Sequence, residues 1–452
     1  SIQVKEAGFR SMMRIAFQTL GCKVNQSDTA SMELLFRQAG YEVVPFQEDA
    51  DVYVVNTCVV TNTGQHKSRQ MINRAVRKNE DALVVVAGCY PQTAAGEVKE
   101  IPGVDLLLGN QDRSKVVSLV ESALAAKRGG TAPAADTVED EVKPWNGVTA
   151  FEEMAGGNEM DKTRAYLKIQ EGCNQYCSYC IIPYARGPLR SRSVENIRQE
   201  VEALVERGYG EVVLIGIHLG CYGKELKDGT GLYDAVKAAL SVPGLKRLRL
   251  GSLESVEVED RLLDLMAADS RFCPHLHLPL QSGCDRILQT MRRPYDTARF
   301  KALLADIRRR IPGIAITTDI IVGFPGETEE EFETTYRFAE ECGFSKMHIF
   351  PYSMRKGTPA AAMKEQLPEK VKQARAGRLA QLDDAMQEAW LKEHLGRTVN
   401  VLVEQPCGDG MVSGLSEEYI RVEFPGDASL SGKIVPVKLE KALVDKCLGT
   451  CL

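Results

Sequence analysis

The 452-residue sequence predicts a multidomain α/β protein: a doubly wound parallel sheet, then a full or partial α/β barrel of the TIM type, then a small β-barrel. Three observations predict this order. Short apolar strands alternate with helical stretches over residues 13–125. The same alternation resumes near 163 and runs for six further units. The stretch 397–452 then carries strand patterns with no helix between them.

In the first series, MRIAFQTL (13–20) reads as a buried strand followed by a helix around 29–40. VYVVNTC (52–58) precedes a helix near 62–79, and ALVVVAGC (82–89) precedes another. DLLLG (105–109) leads into a helix at 113–127. Apolar strands alternating with helices mean a parallel sheet covered on both faces. This domain is placed at 13–127. Gly, Ala, Pro, Asp and Glu dominate 128–162, the composition of a linker. A second domain follows at 163–392. Its strands are expected at 165–170, 211–216, 247–252, 275–280, 314–323 and 346–353. Its helices are expected at about 193–207, 232–240, 258–269, 284–291, 297–310 and 329–342, with a long helix at 368–395. Six βα units place the working face at the carboxyl ends of the strands. A third domain, 393–452, reads as a small antiparallel β-barrel.

Composition excludes several classes. Hydrophobic content of 44% and charged content of 26% are those of an ordinary globular chain. No apolar run approaches the roughly 18 residues of a membrane span, and no signal-peptide pattern opens the sequence. No membrane partner is therefore expected. Thirteen cysteines without an export signal point to thiolates in a reducing cytosol, so the expected location is cytoplasmic. A net charge of −6 means that any nucleic acid must be met by local basic patches.

Chemistry is carried by cysteine spacing. CNQYCSYC holds Cys173, Cys177 and Cys180, three soft ligands with no adjacent fourth. Structural zinc takes four ligands, so a trio suggests an iron–sulfur cluster with one iron open to a small molecule. The plainer alternative is an incomplete zinc knuckle. Cys22, Cys58 and Cys89 each follow a strand of the first sheet, where three loops converge in a doubly wound fold. They suit a second cluster; singly, each is an ordinary small buried residue.

The CNQYCSYC spacing, with Tyr179 before the last cysteine, resembles the radical S-adenosylmethionine (SAM) superfamily. A three-cysteine α/β domain, that barrel and a terminal β-barrel together resemble the radical SAM methylthiotransferase family over nearly the whole chain. HLPLQSGCDRIL (277–288), MRRPY (291–295) and TDIIVGFPGET (318–328) support the resemblance. GCKVNQ (21–26) with IGIHLGCYG (215–223) is most similar to the bacterial MtaB type, which acts on N6-threonylcarbamoyladenosine beside the tRNA anticodon. Relatives in the family act on isopentenyladenosine in tRNA or on a ribosomal-protein aspartate.

The resemblance implies an enzyme with two 4Fe–4S clusters that uses SAM as radical source and methyl donor. Cys173, Cys177 and Cys180 would hold the SAM-binding cluster, and Cys22, Cys58 and Cys89 the other. Tyr179, Glu254, Thr318, Asp319 and Gly323 are expected around SAM, with Gln281 and Ser282 at the same mouth. Lys67, Arg69, Arg292 and Arg293 are candidates for reading an anionic substrate. The expected partners are a tRNA anticodon stem-loop and an electron donor such as flavodoxin or ferredoxin.

The terminal barrel resembles the TRAM RNA-binding module. Yet residues 391–452 hold seven Lys/Arg against nine Asp/Glu, so a cationic face would have to come from Lys370, Lys372, Arg375, Arg378 and Arg292–Arg310. The barrel would otherwise simply pack on the catalytic domain. Two further readings stand beside this one: a single-cluster radical SAM methyltransferase, and an RNA-binding protein with degenerate metal sites. Cys221, Cys273, Cys284, Cys342, Cys407, Cys447 and Cys451 form no ligand set.

Overall fold

Residues 13–129, 138–157 and 163–452 are described by the structure, a computed structural model. They divide into two compact units. The first holds the described residues up to 157 with 171–175 and 180–192, and the second holds 163–170, 176–179 and 193–452. Cys173 and Cys180 thus group with the first unit and Cys177 with the second.

The first unit is built on a sheet with spatial order β2-β1-β3-β4-β5-β6. The strands are β1 (Arg14–Thr19), β2 (Glu42–Val44), β3 (Val52–Thr57), β4 (Leu83–Gly88), β5 (Leu106–Leu108) and β6 (Glu139–Asp140), all parallel. Every residue of β3 and β4 is buried. Tyr53, Val55, Val84 and Val86 join one apolar cluster, while Val52, Val54, Leu83 and Val85 join another. That alternation is what two covered faces require of a strand, and it explains the unbroken apolar runs.

Two local features depart from expectation. Helix α1 (Lys23–Gln38) begins directly after Cys22, ahead of position 29. Its first turns are polar, but Asn25 donates to the Thr57 and Leu20 carbonyls at 3.0 and 2.6 Å, which lets them be buried. Residues 138–157 were expected in a linker. Instead Glu139 and Glu141 donate backbone N–H groups to the Asp105 and Leu107 carbonyls, adding β6 to the sheet. The rest of the expected linker, 130–137 and 158–162, lies outside the described residues. Helices α2 (Asn62–Lys78), α3 (Cys89–Lys99) and α4 (Val116–Arg128) complete the layers, and a two-residue strand, β8 (Arg190–Ser191), also falls in this unit.

The second unit carries six parallel strands: β7 (Arg164–Glu171), β9 (Glu211–Gly216), β10 (Leu248–Leu250), β11 (His275–His277), β12 (Ala315–Val322) and β13 (Lys346–Pro351). They pair as β7-β9-β10 and β11-β12-β13. Bridges Leu248↔Phe272 and Ser252↔His277 join the two groups into a partial barrel. β11 stops at His277, short of the expected 280, because Pro279 has no N–H to give a ladder.

The chain then runs through the helix Glu369–Glu393 into a closed barrel of β14 (Thr398–Gly408), β15 (Met411–Ser416), β16 (Arg421–Pro425), β17 (Ile434–Ala442) and β18 (Cys447–Cys451). It is antiparallel except for β16–β18, which pair parallel through Val422↔Cys447 and Glu423↔Leu448. Cys447 and Cys451 pack among the apolar residues of this barrel's core. Buried arginines dock the barrel. Glu211, at the start of β9, is fully buried and accepts from Arg164 at 2.8 Å and Arg249 at 2.9 Å, with Arg247 at 3.6 Å. Those guanidiniums continue to the barrel: Arg247 to the Leu415 and Asn400 carbonyls, Arg249 to those of Ser416 and Glu417, and Arg164 to Glu404.

Candidate functional site

In the first unit, Cys22 and Cys58 occupy the loops after β1 and β3, and Cys89 opens α3 directly after β4. Cys22 is exposed, the other two are buried, and all are free thiols. Each loop is fixed independently. A Cβ on Gly21, which has φ +93°, would lie 2.7 and 2.8 Å from Cys58 Cβ and Sγ, so only glycine lets these loops approach. The Cys58 backbone is tied to α2 by Ser68, whose Oγ accepts from its N–H at 3.2 Å and donates to its carbonyl at 3.1 Å. Asn110 donates to Cys89 Sγ at 3.4 Å and to the Ala185 carbonyl at 2.7 Å.

Burial above all, with charge on Cys89 and Cys22 acting in the same direction, pushes Cys58 up to about 11 against the opposing Val60 N–H and Arg186. Arg186 is buried beside the trio, donating to Asp28 at 2.8 Å, Glu171 at 3.4 Å and Asn25 at 3.0 Å. Arg113 adds a second cation on Asp28 at 2.7 Å. Sequence reading misses this buried ionic group, in which Asp28 lies 158 positions from Arg186.

The donor set fits a multi-iron group better than a single ion. A zinc–thiolate site with bonds of about 2.3 Å holds its sulfurs roughly 3.8 Å apart. Among the described residues, the one group of donors lying within 4.8 Å of each other is His218, Cys221 and Glu257. The sulfurs of the cysteine trio do not all lie within that distance of one another.

The loop after β7 carries the other trio. Gly172 has φ +78°, and a Cβ there would strike the Pro188 carbonyl oxygen. Cys173 N–H donates to the Gly187 carbonyl at 3.0 Å. Backbone N–H groups of Gln175 and Ile182 point at Cys173 Sγ and Cys180 Sγ at 3.5 and 3.4 Å. In the second unit, Ser178 is held by the Met291 and Thr290 carbonyls, at 3.0 and 2.8 Å. Arg293 donates to Cys177 Sγ at 3.1 Å, to Tyr295 Oη at 3.1 Å and to the Glu254 carboxylate. Tyr295 in turn donates to the Leu280 carbonyl at 2.8 Å.

The structure separates the other expected residues. Arg293 is buried on Cys177 and Glu254, whereas Arg292, at φ +62°, is exposed. Glu254 therefore faces the arginine that partners Cys177. Tyr179 packs with Cys284, Ile287, Met291, Phe324, Tyr352 and Ala360. Thr318 is buried between the Leu278 carbonyl and the Leu280 N–H, at 2.7 and 2.9 Å, and supports the strand end. Asp319 pairs with His277 at 3.0 Å and keeps a partly open side chain. Gly323 has φ +71° and packs on Lys372, with its N–H on Glu327. Gln281 also has positive φ, and Ser282 is buried against Thr335. Lys67 and Arg69 are exposed on α2, Arg69 reaching Tyr90 Oη at 3.0 Å.

His218, Cys221 and Glu257 are a further buried group at the carboxyl end of β9. His218 meets Glu257 at 2.7 Å, and Cys221 donates to Glu257 at 3.1 Å. Although burial opposes it, these bonds hold the Glu257 carboxyl below its usual range. Separations of 2.7 to 3.4 Å are those of a hydrogen-bonded trio. The edges of a metal tetrahedron with bonds of 2.0–2.3 Å would be roughly 3.3–3.8 Å.

Comparison with known proteins gives two family matches: an uncharacterized protein family, UPF0004, over residues 14–109, and the Radical SAM superfamily over 167–339. The chain is 42% identical to the threonylcarbamoyladenosine tRNA methylthiotransferase MtaB of Bacillus subtilis, over 95% of this chain and 94% of the relative. It is 39% identical to the protein of the same name from Aquifex aeolicus, over 94% and 100%. A tRNA-2-methylthio-N(6)-dimethylallyladenosine synthase from Moorella thermoacetica is 37% identical over 94% and 95%. Among solved structures, the radical SAM methyltransferase TsrM of Kitasatospora setae, with cobalamin and a [4Fe-4S] cluster bound, aligns over 77% of each chain at 16% identity and a TM-score of 0.55, a likeness of fold.

Proposed function

This chain belongs to the radical SAM methylthiotransferase family, and on that premise we propose that it replaces the C2 hydrogen of N6-threonylcarbamoyladenosine, beside the tRNA anticodon, with a methylthio group. The observation that carries the reading is the pair of complete cysteine trios, each at the carboxyl end of parallel strands, in a chain 42% identical to a relative of that name. Two 4Fe–4S clusters and SAM supply the one-electron, radical and methyl chemistry that no side chain can perform on an unactivated aromatic C–H.

The protein's own part is to hold and orient. Cys173, Cys177 and Cys180 leave one position open for SAM, and Cys22, Cys58 and Cys89 leave one for the transferred sulfur. Arg293 fixes Cys177 against Glu254 and brings a cation to the thiolate. Asp319, within β12 and paired with His277, offers a carboxylate for a hydroxyl or amine of SAM. Arg186 offsets thiolate charge at the other trio. An unpaired anticodon loop lets the adenine be unstacked cheaply. Electrons would come from a flavodoxin- or ferredoxin-like donor.

Iron per chain in anaerobically reconstituted protein, wild type against a Cys22/Cys58/Cys89→Ala variant, tests the cofactor assignment: about eight irons should fall to about four. Product analysis with tRNA bearing threonylcarbamoyladenosine or isopentenyladenosine then tests the substrate. The second substrate is kept because the 37% identical relative is named for N(6)-dimethylallyladenosine, whose substituent is the same isopentenyl group. Turnover of isopentenyladenosine alone would replace the proposed substrate.

A further inference from the structure

Helix α2 has a composition unlike the rest of this acidic chain. It holds Lys67, Arg69, Arg74, Arg77 and Lys78 and no Asp or Glu. Ser68, Ile72 and Ala75 form its buried face. Lys67, Gln70, Arg74 and Arg77 recur at helical spacing along the opposite side, over about 15 Å at 1.5 Å per residue. None of the five cations is in an ion pair among the described residues, and Lys67, Arg74 and Arg77 make no hydrogen bond either. Gln70, Asn73, Arg74, Arg77 and Lys78 line a surface depression of about 400 Å³.

The cations expected to form an RNA face lie elsewhere and are mostly spent. Arg375 is buried on Glu327 at 2.8 Å and Glu329 at 3.3 Å, and Arg378 pairs with Glu333 and Glu329. Arg310 meets Asp260, Asp264 and Asp306, Arg309 meets Asp306, and Arg308 caps the Gly343 carbonyl. In the terminal barrel, Arg421 and Lys446 pair with Glu404 and Glu423. A phosphate would have to displace these carboxylates, whereas on α2 it would displace only water and counterions.

We propose that the outer face of α2 is a docking strip for the phosphate backbone of the RNA substrate. This deepens the tRNA reading above and rests on it. The chemistry favours RNA over an acidic protein, because His66, Lys67, Gln70, Asn73, Arg74 and Arg77 put no aromatic or aliphatic anchor on the strip. Protein interfaces draw their affinity from such anchors, whereas amide and guanidinium donors are the groups that position phosphates. The same helix holds the Cys58 backbone through Ser68 on its inner face, so an RNA gripped outside lies one helix diameter, about 10 Å, from a loop carrying a cluster ligand.

The test is tRNA affinity of the reconstituted full-length protein at several salt concentrations, for wild type and Arg74→Gln/Arg77→Gln. Iron content and far-ultraviolet circular dichroism report that the variant is folded and loaded. The double variant should bind about tenfold or more weakly at low salt, and the slope of log K against log salt should fall by about 1.4–1.8. Wild-type binding with an unchanged affinity and slope in the folded variant would overturn the strip alone. A defect confined to reduction by flavodoxin, with tRNA affinity intact, would also overturn it and assign the face to an acidic protein. Wild type that binds no tRNA would instead overturn the function on which the strip rests.

Discussion

Arg293 touches Cys177 with one arm and a carboxylate with another, so if Cys177 holds a cluster as proposed, removing Arg293 has a calculable effect on redox chemistry. Its guanidinium centre stands about 4 Å from Cys177 Sγ. At an effective dielectric of about 20, a unit charge there stabilises an added electron by ~4 kcal/mol. Spreading that electron over a cluster lowers the figure, which corresponds to roughly 100–200 mV for a one-electron couple. The Glu254 carboxylate, about 4 Å further out, opposes this by roughly half. Arg293→Met should therefore lower the reduction potential of the Cys173/Cys177/Cys180 cluster by roughly 100–200 mV, and Arg293→Met/Glu254→Gln by about half as much. Electron paramagnetic resonance potentiometry in a Cys22/Cys58/Cys89→Ala background isolates that cluster. A single variant that keeps its iron and shifts by less than about 20 mV would refute the electrostatic account.

Three further outcomes follow from packing. Gly21→Ala forces a Cβ to within 2.8 Å of Cys58 Sγ at a positive φ, so reconstituted iron should fall from about eight to about four per chain. Glu211→Gln strips three buried guanidiniums of their carboxylate and should cost about 3–5 kcal/mol in urea unfolding of the second unit. Arg249 and Arg164 hold the Glu211 carboxyl well below its usual range despite burial, so its stabilisation is present above about pH 4.3 and fades as pH falls further. The gap between wild type and variant should thus close in acid. Cys447→Ala/Cys451→Ala should leave the iron count unchanged, because Cys447 sits in the terminal barrel's core and Cys451 packs against it.

What could be read in advance was whatever a local pattern encodes. β3 and β4 were legible because all their residues are buried and apolar, and helices Thr297–Arg310 and Glu329–Cys342 because their periodicity is strong and their caps are Asp296 and Thr328. β6 was not, since Glu139–Asp140 is held by backbone bonds to β5 and owes nothing to side-chain pattern. The two cysteine trios could be picked out as candidates from spacing and loop position. The groups around them could not: Arg186 meets Asp28 across 158 positions, and Arg293 meets Cys177 across 116. Nor does sequence reveal which cations are neutralised. Arg375 and Arg74 look alike in the chain, yet one is buried on two carboxylates and the other stands free on α2.

The arginines that run from Glu211 into the terminal barrel also bear on how a deletion experiment is interpreted. Cutting the chain after the helix Glu369–Glu393 would strand Arg164, Arg247 and Arg249 without the acceptors on Asn400, Glu404, Leu415, Ser416 and Glu417. Several charge-assisted bonds of about 1.5–3 kcal/mol each would go at once, at the very strands whose far ends present the active-site loops. A truncated enzyme that fails to modify RNA would then be reporting on a loosened catalytic scaffold, whatever the barrel does with RNA. Point substitutions on the barrel's outer surface are the cleaner dissection.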